Sequence, residues 1–382
     1  MDLILYAALF FMVLTTLVLL RNRFEFTSIA SVDEDTISDK KVSICIPARN
    51  EEANIRKCVE SVLAQSYSNL EVLVLDDQSE DNTPHILASL AEKDSRLRVL
   101  NGTPKPENWL GKPWACHQIS KSASGEYLIF VDADVWLEPN NVQNAVSALK
   151  TTDALTVWPQ QVVHSFWEKL IVPTVYFSLL TLLPSVYVRR SPRWMPSFLR
   201  PILNPKFVAA CGQFIAFNKN AYQHIGGHVR VKSEVVEDME LARALKNSGR
   251  TLTMFHGQNS VYCRMYTSYQ EIWSGFQKNF LAGFGNVFEF LFMGVLHFLF
   301  FLFPVFTLVN AILSEDLKLA LISATVLILF TIQRFILHQW FGWSKTIALL
   351  HPFAVLWFQA LGITCLYNKV FSRNTSWKGR PV

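Results

Sequence analysis

Long apolar runs open the chain and recur near its end, and between them short apolar runs alternate with amphipathic stretches. Residues 3–20 (LILYAALFFMVLTTLVLL) are uncharged and long enough to cross a bilayer as a helix. Asp2 precedes this run and Arg21 and Arg23 follow it. The positive-inside bias then puts the N-terminus outside and the following chain in the cytoplasm. A cleaved signal peptide fits less well, because the positive charge lies on the wrong side and no small-residue cleavage site follows. Three further stretches, about 290–313, 319–337 and 346–367, are each near spanning length. Three crossings would leave the tail outside, yet Lys369, Arg373, Lys378 and Arg380 favour the inside. Pro304 or Pro352 then marks a re-entrant or interfacial segment, and both topologies stay open.

Residues 40–165 change period. Apolar, β-branched runs at 42–46, 70–75, 97–100, 126–131 and 154–158 read as buried strands. Amphipathic helices are expected between them, one from near Asn50 with Ile55, Val59, Val62 and Leu63 on one face, another from Thr83. Alternating strands and helices imply a mostly parallel sheet flanked by helices. A fifth apolar stretch, 170–188, is followed by Arg189, Arg190, Arg193, Trp194 and Arg200. It is expected to lie on the membrane surface or to dip in and return, as part of an interfacial segment 166–200, because the chain on both sides of it carries candidate site residues. The expected organisation is an anchor at 1–23, a cytoplasmic α/β domain at 40–283, a membrane region at 284–370 and a basic tail at 371–382.

Composition supports a membrane protein. Hydrophobic residues make up 51% and charged residues 17%, against about 25% charged in ordinary soluble domains. A net charge of +4 without a long basic run argues against a nucleic-acid partner. The 6 cysteines are scattered without a CxxC pair, so they read as reduced thiols rather than a zinc site or a disulfide framework.

The chemistry-bearing residues cluster at expected strand ends, where open α/β sheets bind ligands. Pro47-Ala48-Arg49-Asn50-Glu51 follows the first strand, Asp76-Asp77-Gln78-Ser79 the second, and Asp132-Ala133-Asp134 the fourth. Carboxylates two apart at a strand end suit Mg²⁺ or Mn²⁺ together with phosphate oxygens. The same pair also suits a turn with a helix-capping aspartate. Glu237-Asp238 opens a helix with Leu241 and Leu245 on one side. Such a pair serves as general base or simply as acids favoured by the helix dipole. Lys112, beside Gly111 and between Trp109 and Trp114, is a candidate for a diphosphate, although its aromatic flanks equally suit a core. Arg264 and Lys278 are further diphosphate candidates, with snorkelling onto headgroups as the rival role. His228, in Gly226-Gly227-His228, is a candidate acceptor contact or a structural histidine.

The ordered set Pro47 to Glu52, Asp76 to Ser79, Asp132 to Asp134 and Glu237-Asp238 resembles inverting family 2 glycosyltransferases with a GT-A nucleotide-sugar fold. The resemblance covers roughly residues 40–280. Trp109 to Trp114, Gly212-Gln213, Gly226 to His228 and Arg264-Met265-Tyr266 resemble the membrane-bound branch that includes carotenoid (diaponeurosporenoate-type) and hopanoid-associated glycosyltransferases. The resemblance implies that Pro47, Glu51 and Asp77 contact the uridine of a UDP-sugar, with Ala48 also in the nucleotide-sugar site. It implies that Asp132 contacts ribose or metal, and that Asp134 binds the Mn²⁺ or Mg²⁺ and the diphosphate. It also implies that Asp238 is the base with Glu237 beside it, and that Gly212 and Gln213 line the sugar and acceptor side. Processive synthases of the family carry QxxRW after the base. Here the matching stretch reads Gln277-Lys278-Asn279-Phe280-Leu281, which favours a single transfer.

The implied activity is transfer of one sugar, glucose by expectation, to a carotenoid or other isoprenoid lipid at a multi-pass cell-membrane protein. A polyprenyl phosphate or glycolipid acceptor is the rival within the enzyme class. A nucleotide-binding membrane scaffold without turnover is the rival outside it.

Overall fold

The structure is a computed structural model and describes residues 1–32, 39–284 and 286–371, with the backbone of 376–377 and 380–381. Arg373 and Lys378 of the expected basic tail lie outside the described residues. The chain divides into two compact units: one of residues 1–24, 163–184 and 266–382, the other of residues 25–162 and 185–265. The segment 166–200 is thus shared between the two, and 266–283 groups with the apolar helices.

The second unit is built on one mixed sheet of eight strands: β1 (Val42–Ala48), β2 (Leu70–Asp76), β3 (Leu97–Asn101), β4 (Tyr127–Val131), β5 (Val135–Leu137), β6 (Ala154–Gln161), β7 (Phe214–Asn218) and β8 (Leu252–Cys263). Their order is β3-β2-β1-β4-β7-β6-β8-β5. The half β3-β2-β1-β4 is parallel, with Pro47 beside Leu75 and Ala48 beside Asp76. β7 runs antiparallel to both β4 and β6 and joins this half to the rest. β1 and β2 are buried at nearly every position, as strands covered on both faces must be. One core layer packs Ile44, Ile46, Val72, Val74, Ile129 and Val131 against Ile55, Val59 and Val62 of the Ile55–Leu63 helix. At the opposite strand ends Glu71 is buried. Burial raises its pKa, but hydrogen bonds from Ser43, Ser124 and Lys41 outweigh that and hold the carboxyl near about 2.

The helix read from Asn50 begins only at Ile55. Asn50 takes a left-handed φ of 52°, a conformation asparagine tolerates better than most residues. The Asn50 and Glu51 amides donate to Ser79 Oγ (2.9 Å) and Thr83 Oγ1 (2.8 Å), so the loop after β1 is bonded to the loop after β2 instead of starting a helix.

Among the described residues, the first unit holds four helices long and apolar enough to cross a membrane by length and composition: Asp2–Glu25, Val287–Leu313, Leu317–Phe341 and Thr346–Val370. Polar contacts fix their neighbours. Gln333 Nε2 donates to Met12 O (2.9 Å) and Thr16 Oγ1 (2.8 Å), and Asn22 Nδ2 to the carbonyls of Leu180 and Leu183 (both 2.8 Å). The Phe166–Leu182 helix opens on a capping box between Ser165 and Glu168 and contains Pro173. It buries Leu170, Ile171, Tyr176 and Phe177, with Tyr176 edge-on to Phe341.

Candidate active site

The site grows from the carboxyl ends of β1, β2 and β4. β1 delivers Pro47 and Ala48, and the Ala48 carbonyl accepts the Asp77 amide at 2.8 Å, so the first two loops meet. Arg49 Nη1 donates to the carbonyls of Asp77 (2.7 Å) and Gln78 (2.6 Å) and fixes their spacing. Asp77 is buried, and Glu51 is half-buried with its Oε2 accepting from Asn54 Nδ2 at 3.2 Å.

β4 ends at Val131, and Asp132 and Asp134 follow in the turn that leads into β5. The Asp132 amide donates to Gln213 O at 3.1 Å, which ties this turn to the residues just before β7. Lys112 stands in the first turn of the Gly111–Ser122 helix, whose entry is set by the Leu110 amide donating to Lys232 O (2.7 Å). Its ammonium lies 2.8 and 3.0 Å from the two Asp132 carboxylate oxygens and 3.0 Å from Glu237 Oε1. Trp109, Trp114 and His117 pack on one another beside it, with ring centroids 5.0–5.6 Å apart.

Glu237 and Asp238 open the Glu237–Asn247 helix, held down by Leu241 and Leu245. Asp238 Oδ2 accepts the Gly212 amide (2.7 Å) and Oδ1 the Met239 amide (2.8 Å). A Cβ on Gly212 would sit 3.0 Å from Lys112 Nζ and 3.3 Å from Asp238 Oδ2, so the absence of a side chain lets these groups converge. Residues more than a hundred positions apart therefore share one cluster: Lys112, Asp132, Gly212, Glu237 and Asp238.

The charges in the cluster are unequal. Burial raises the pKa of Asp238, and the adjacent Glu237 charge raises it further, while Lys112 and the two amides offset only part of this. Burial works the same way on Glu237, but Lys112 outweighs it and lowers that pKa. Lys112 keeps its proton well above the usual range, because Asp132 and Glu237 outweigh the burial that opposes its charge. The result is one carboxylate held ionised and one with raised proton affinity, the separation that acid–base chemistry needs.

Gln213 is buried. Its Oε1 accepts from Gln161 Nε2 at 2.8 Å, and its Nε2 lies 3.0 Å from Cys263 Sγ. The Cys263 thiol is in turn bonded to Asp134. Gln161 and Cys263, which sequence reasoning did not single out, thus stand behind the Asp134 side of the site. His228 is buried, 2% exposed, with Nδ1 2.7 Å from Tyr222 Oη and its ring 4.8 Å from Phe130. Burial drives its pKa down to about 3, so it is neutral. A Cβ on Gly227 would lie 2.7 Å from the Tyr222 ring, so the paired glycines make room for this Tyr–His contact. Arg264 follows the end of β8, and Lys278 lies on the Tyr269–Phe280 helix of the apolar unit.

Residues 43–226 match the model of glycosyl transferase family 2. The chain carries a family 2 glycosyltransferase domain. Among curated proteins, this glycosyltransferase is similar to the 4,4'-diaponeurosporenoate glycosyltransferase of Staphylococcus haemolyticus (strain JCSC1435), 28% identical over 64% of this chain and 62% of that protein. The match thus spans less than two thirds of that relative. The protein of the same name from Staphylococcus aureus (strain USA300) is 25% identical over 89% of this chain and 88% of its own length. Among solved structures, the mannosyltransferase PcManGT from Pyrobaculum calidifontis, in complex with GDP-Man and Mn²⁺, aligns with 97% of both chains at a TM-score of 0.53 and 18% identity. That likeness concerns the fold, which is GT-A.

The donor set of this glycosyltransferase can be tested against a divalent metal. Among the described residues no group of three or more His, Cys, Asp or Glu side chains could hold an ion by itself. Two hard carboxylates, Asp132 and Asp134, flank one turn. That set fits Mg²⁺ or Mn²⁺, which commonly takes one or two carboxylates and completes its shell with phosphate oxygens and water.

Proposed function

We propose that the chain is a membrane-anchored, inverting glycosyltransferase that moves one hexose, glucose in the first instance, from a UDP-sugar to a carotenoid or other isoprenoid lipid. The observation that carries the reading is the convergence of Lys112, Asp132 and Glu237 with the Gly212–Asp238 pair. Asp238, its proton affinity raised and its carboxylate oriented by two backbone amides, takes the proton of an acceptor hydroxyl or orients an acceptor carboxylate. The acceptor attacks the anomeric carbon from the face opposite the diphosphate, and one displacement inverts the configuration. Glu237 stays ionised and holds Lys112, whose ammonium supplies positive charge to the diphosphate side. Pro47, Ala48, Glu51 and Asp77 line the uridine side, Gln213 and His228 support the acceptor side, and Arg264 is a further cation for the diphosphate. Asp134 and Asp132 would hold Mn²⁺ or Mg²⁺, which when bound offsets the charge developing on the leaving diphosphate.

A hydrophobic acceptor is supported by the names of the curated relatives and by the apolar unit. Between Arg189 and Lys206 the chain exposes Trp194 (64%), Phe198 (74%) and Ile202 (65%) among Arg190, Arg193 and Arg200. Aromatic and cationic side chains of this kind suit a membrane interface. With Arg21 and Arg23 after the first apolar helix, the catalytic domain faces the cytoplasm and the protein is multi-pass. The test is incubation of the purified protein with a panel of UDP-sugars and extracted membrane lipids, read by mass spectrometry. A new hexosylated isoprenoid is expected. A product appearing on polyprenyl phosphate or a glycolipid head instead would replace the acceptor assignment, and nucleotide binding without any product would replace the enzyme.

A further inference from the structure

Between Leu319 and Leu337 the chain holds one charged residue, Arg334. It lies on the Leu317–Phe341 helix and is fully buried, 0% exposed. Nη1 reaches Thr174 Oγ1 at 3.5 Å, the limit of a hydrogen bond. The guanidinium carbon stands 5.5 Å from the centre of the Phe177 ring. Nε and Nη2 meet no acceptor, and among the described residues no carboxylate pairs with the group.

Two histidines share this place. His351, 1% exposed, packs on the same Phe177 ring (4.7 Å between centroids) and on Phe301 (5.1 Å) and Phe330 (5.3 Å), with neither ring nitrogen hydrogen-bonded. His338, one turn beyond Arg334, has Nδ1 2.6 Å from Ser344 O, while its buried Nε2 has no partner. His351 lies within electrostatic reach of Arg334, His338 and His297.

A guanidinium is always charged and carries five N–H donors in a fork that matches an oxyanion. A ring face offsets part of that charge but accepts none of the in-plane N–H bonds. Ionisable groups inside an apolar helical unit are rare and mark ligand or ion sites. Here the donors gather inside a shell of phenylalanine rings with no acid to satisfy them. We propose that Arg334, with His351 and His338, binds the oxyanion head of an amphiphile, a carboxylate or a phosphate monoester borne on an apolar chain. The two faces of the arginine fork hold the oxygens, the histidines add donors, and Phe177, Phe301 and Phe330 enclose the start of the tail. All of these residues belong to the first unit, whereas Lys112, Asp132, Gly212, Glu237 and Asp238 belong to the second, so binding and transfer can fail independently.

The test uses the full chain in nanodiscs of zwitterionic lipid, titrated with oleate, dodecyl phosphate, methyl oleate and inorganic phosphate, with bound ligand measured by native mass spectrometry. Oleate or dodecyl phosphate is expected to bind at a single site at least roughly thirtyfold tighter than methyl oleate, the scale of losing one partner of a buried charge pair. Whichever of the two binds identifies the headgroup. Arg334→Met should abolish the preference while the thermal midpoint of the ligand-free protein stays level or rises, because a buried charge without a counter-ion has been removed. Equal binding of oleate and methyl oleate by the wild-type protein would overturn the site without recourse to any variant. So would an Arg334→Met protein that keeps the preference. Inorganic phosphate binding as tightly as the amphiphiles would overturn the requirement for a tail.

Discussion

Replacing Asp238 by asparagine separates proton acceptance from shape. The carboxylate receives two amides, Gly212 at 2.7 Å on Oδ2 and Met239 at 2.8 Å on Oδ1. Asparagine offers one acceptor oxygen, so one of these amides must face an NH₂ group. The lost bond in a buried site costs about 1–3 kcal/mol of stability. The larger effect falls on the reaction. General-base catalysis contributes about 10²–10⁴ in rate, or about 2.7–5.5 kcal/mol of barrier. The assay is transfer from radiolabelled UDP-sugar to the lipid acceptor, with UDP affinity measured by calorimetry on the same nanodisc preparation. Turnover should fall by that factor while UDP affinity stays within about threefold, under 1 kcal/mol. Turnover within about tenfold of wild type would remove Asp238 from the base role, since the lower bound for such a base is about a hundredfold. Equal losses of turnover and UDP affinity would also refute the reasoning, by showing that the residue serves the donor pocket as a whole.

Gly212→Ala places a methyl group 3.0 Å from Lys112 Nζ and 3.3 Å from Asp238 Oδ2, so the ammonium must give by a few tenths of an ångström against its carboxylates. Transfer should drop at least about tenfold, the scale of a misplaced catalytic group, and wild-type kinetics in this variant would show that the cluster is not the site. The pH profile follows from Asp238: burial and the Glu237 charge raise its pKa above the ordinary 3.8, and the base works only when deprotonated. Turnover should therefore fall as pH drops through a midpoint above 3.8, and a profile flat down to that value would exclude Asp238 as the titrating base. Chelation should stop turnover, with Mn²⁺ or Mg²⁺ restoring it, and Asp134→Asn should weaken Mn²⁺ binding followed by electron paramagnetic resonance. Full activity in the presence of chelator would discard the metal.

Much of this was legible in the sequence because the signals are local. The strands at 42–46, 70–75, 97–100 and 154–158 are short β-branched runs, and each extends by no more than a few residues in the structure. The acidic pairs declared themselves by following such runs. β5, β7 and β8 were not anticipated. β5 is only three residues long. β7 and β8 lie beyond the apolar 170–188 stretch, where the strand–helix rhythm breaks. Yet β7 is what brings Gly212 and Gln213 to the end of β4, through the bond between Asp132 N and Gln213 O. Arg334 stood in plain view inside an apolar run, but hydropathy averages over a window and does not ask where a single charge finds its partner.

The class of the fold, the apolar helices and the residue types of the chemistry could be read from the chain alone, because period, length and side-chain identity are properties of a short stretch of chain. It takes the folded chain to let Lys112 bridge Asp132 and Glu237, to turn Asp238 to the Gly212 amide, and to fold Gly226-Gly227-His228 into a buried contact with Tyr222. Those outcomes depend on antiparallel pairing between strands far apart in sequence and on the burial it creates. Burial, in turn, sets which carboxylate keeps its charge.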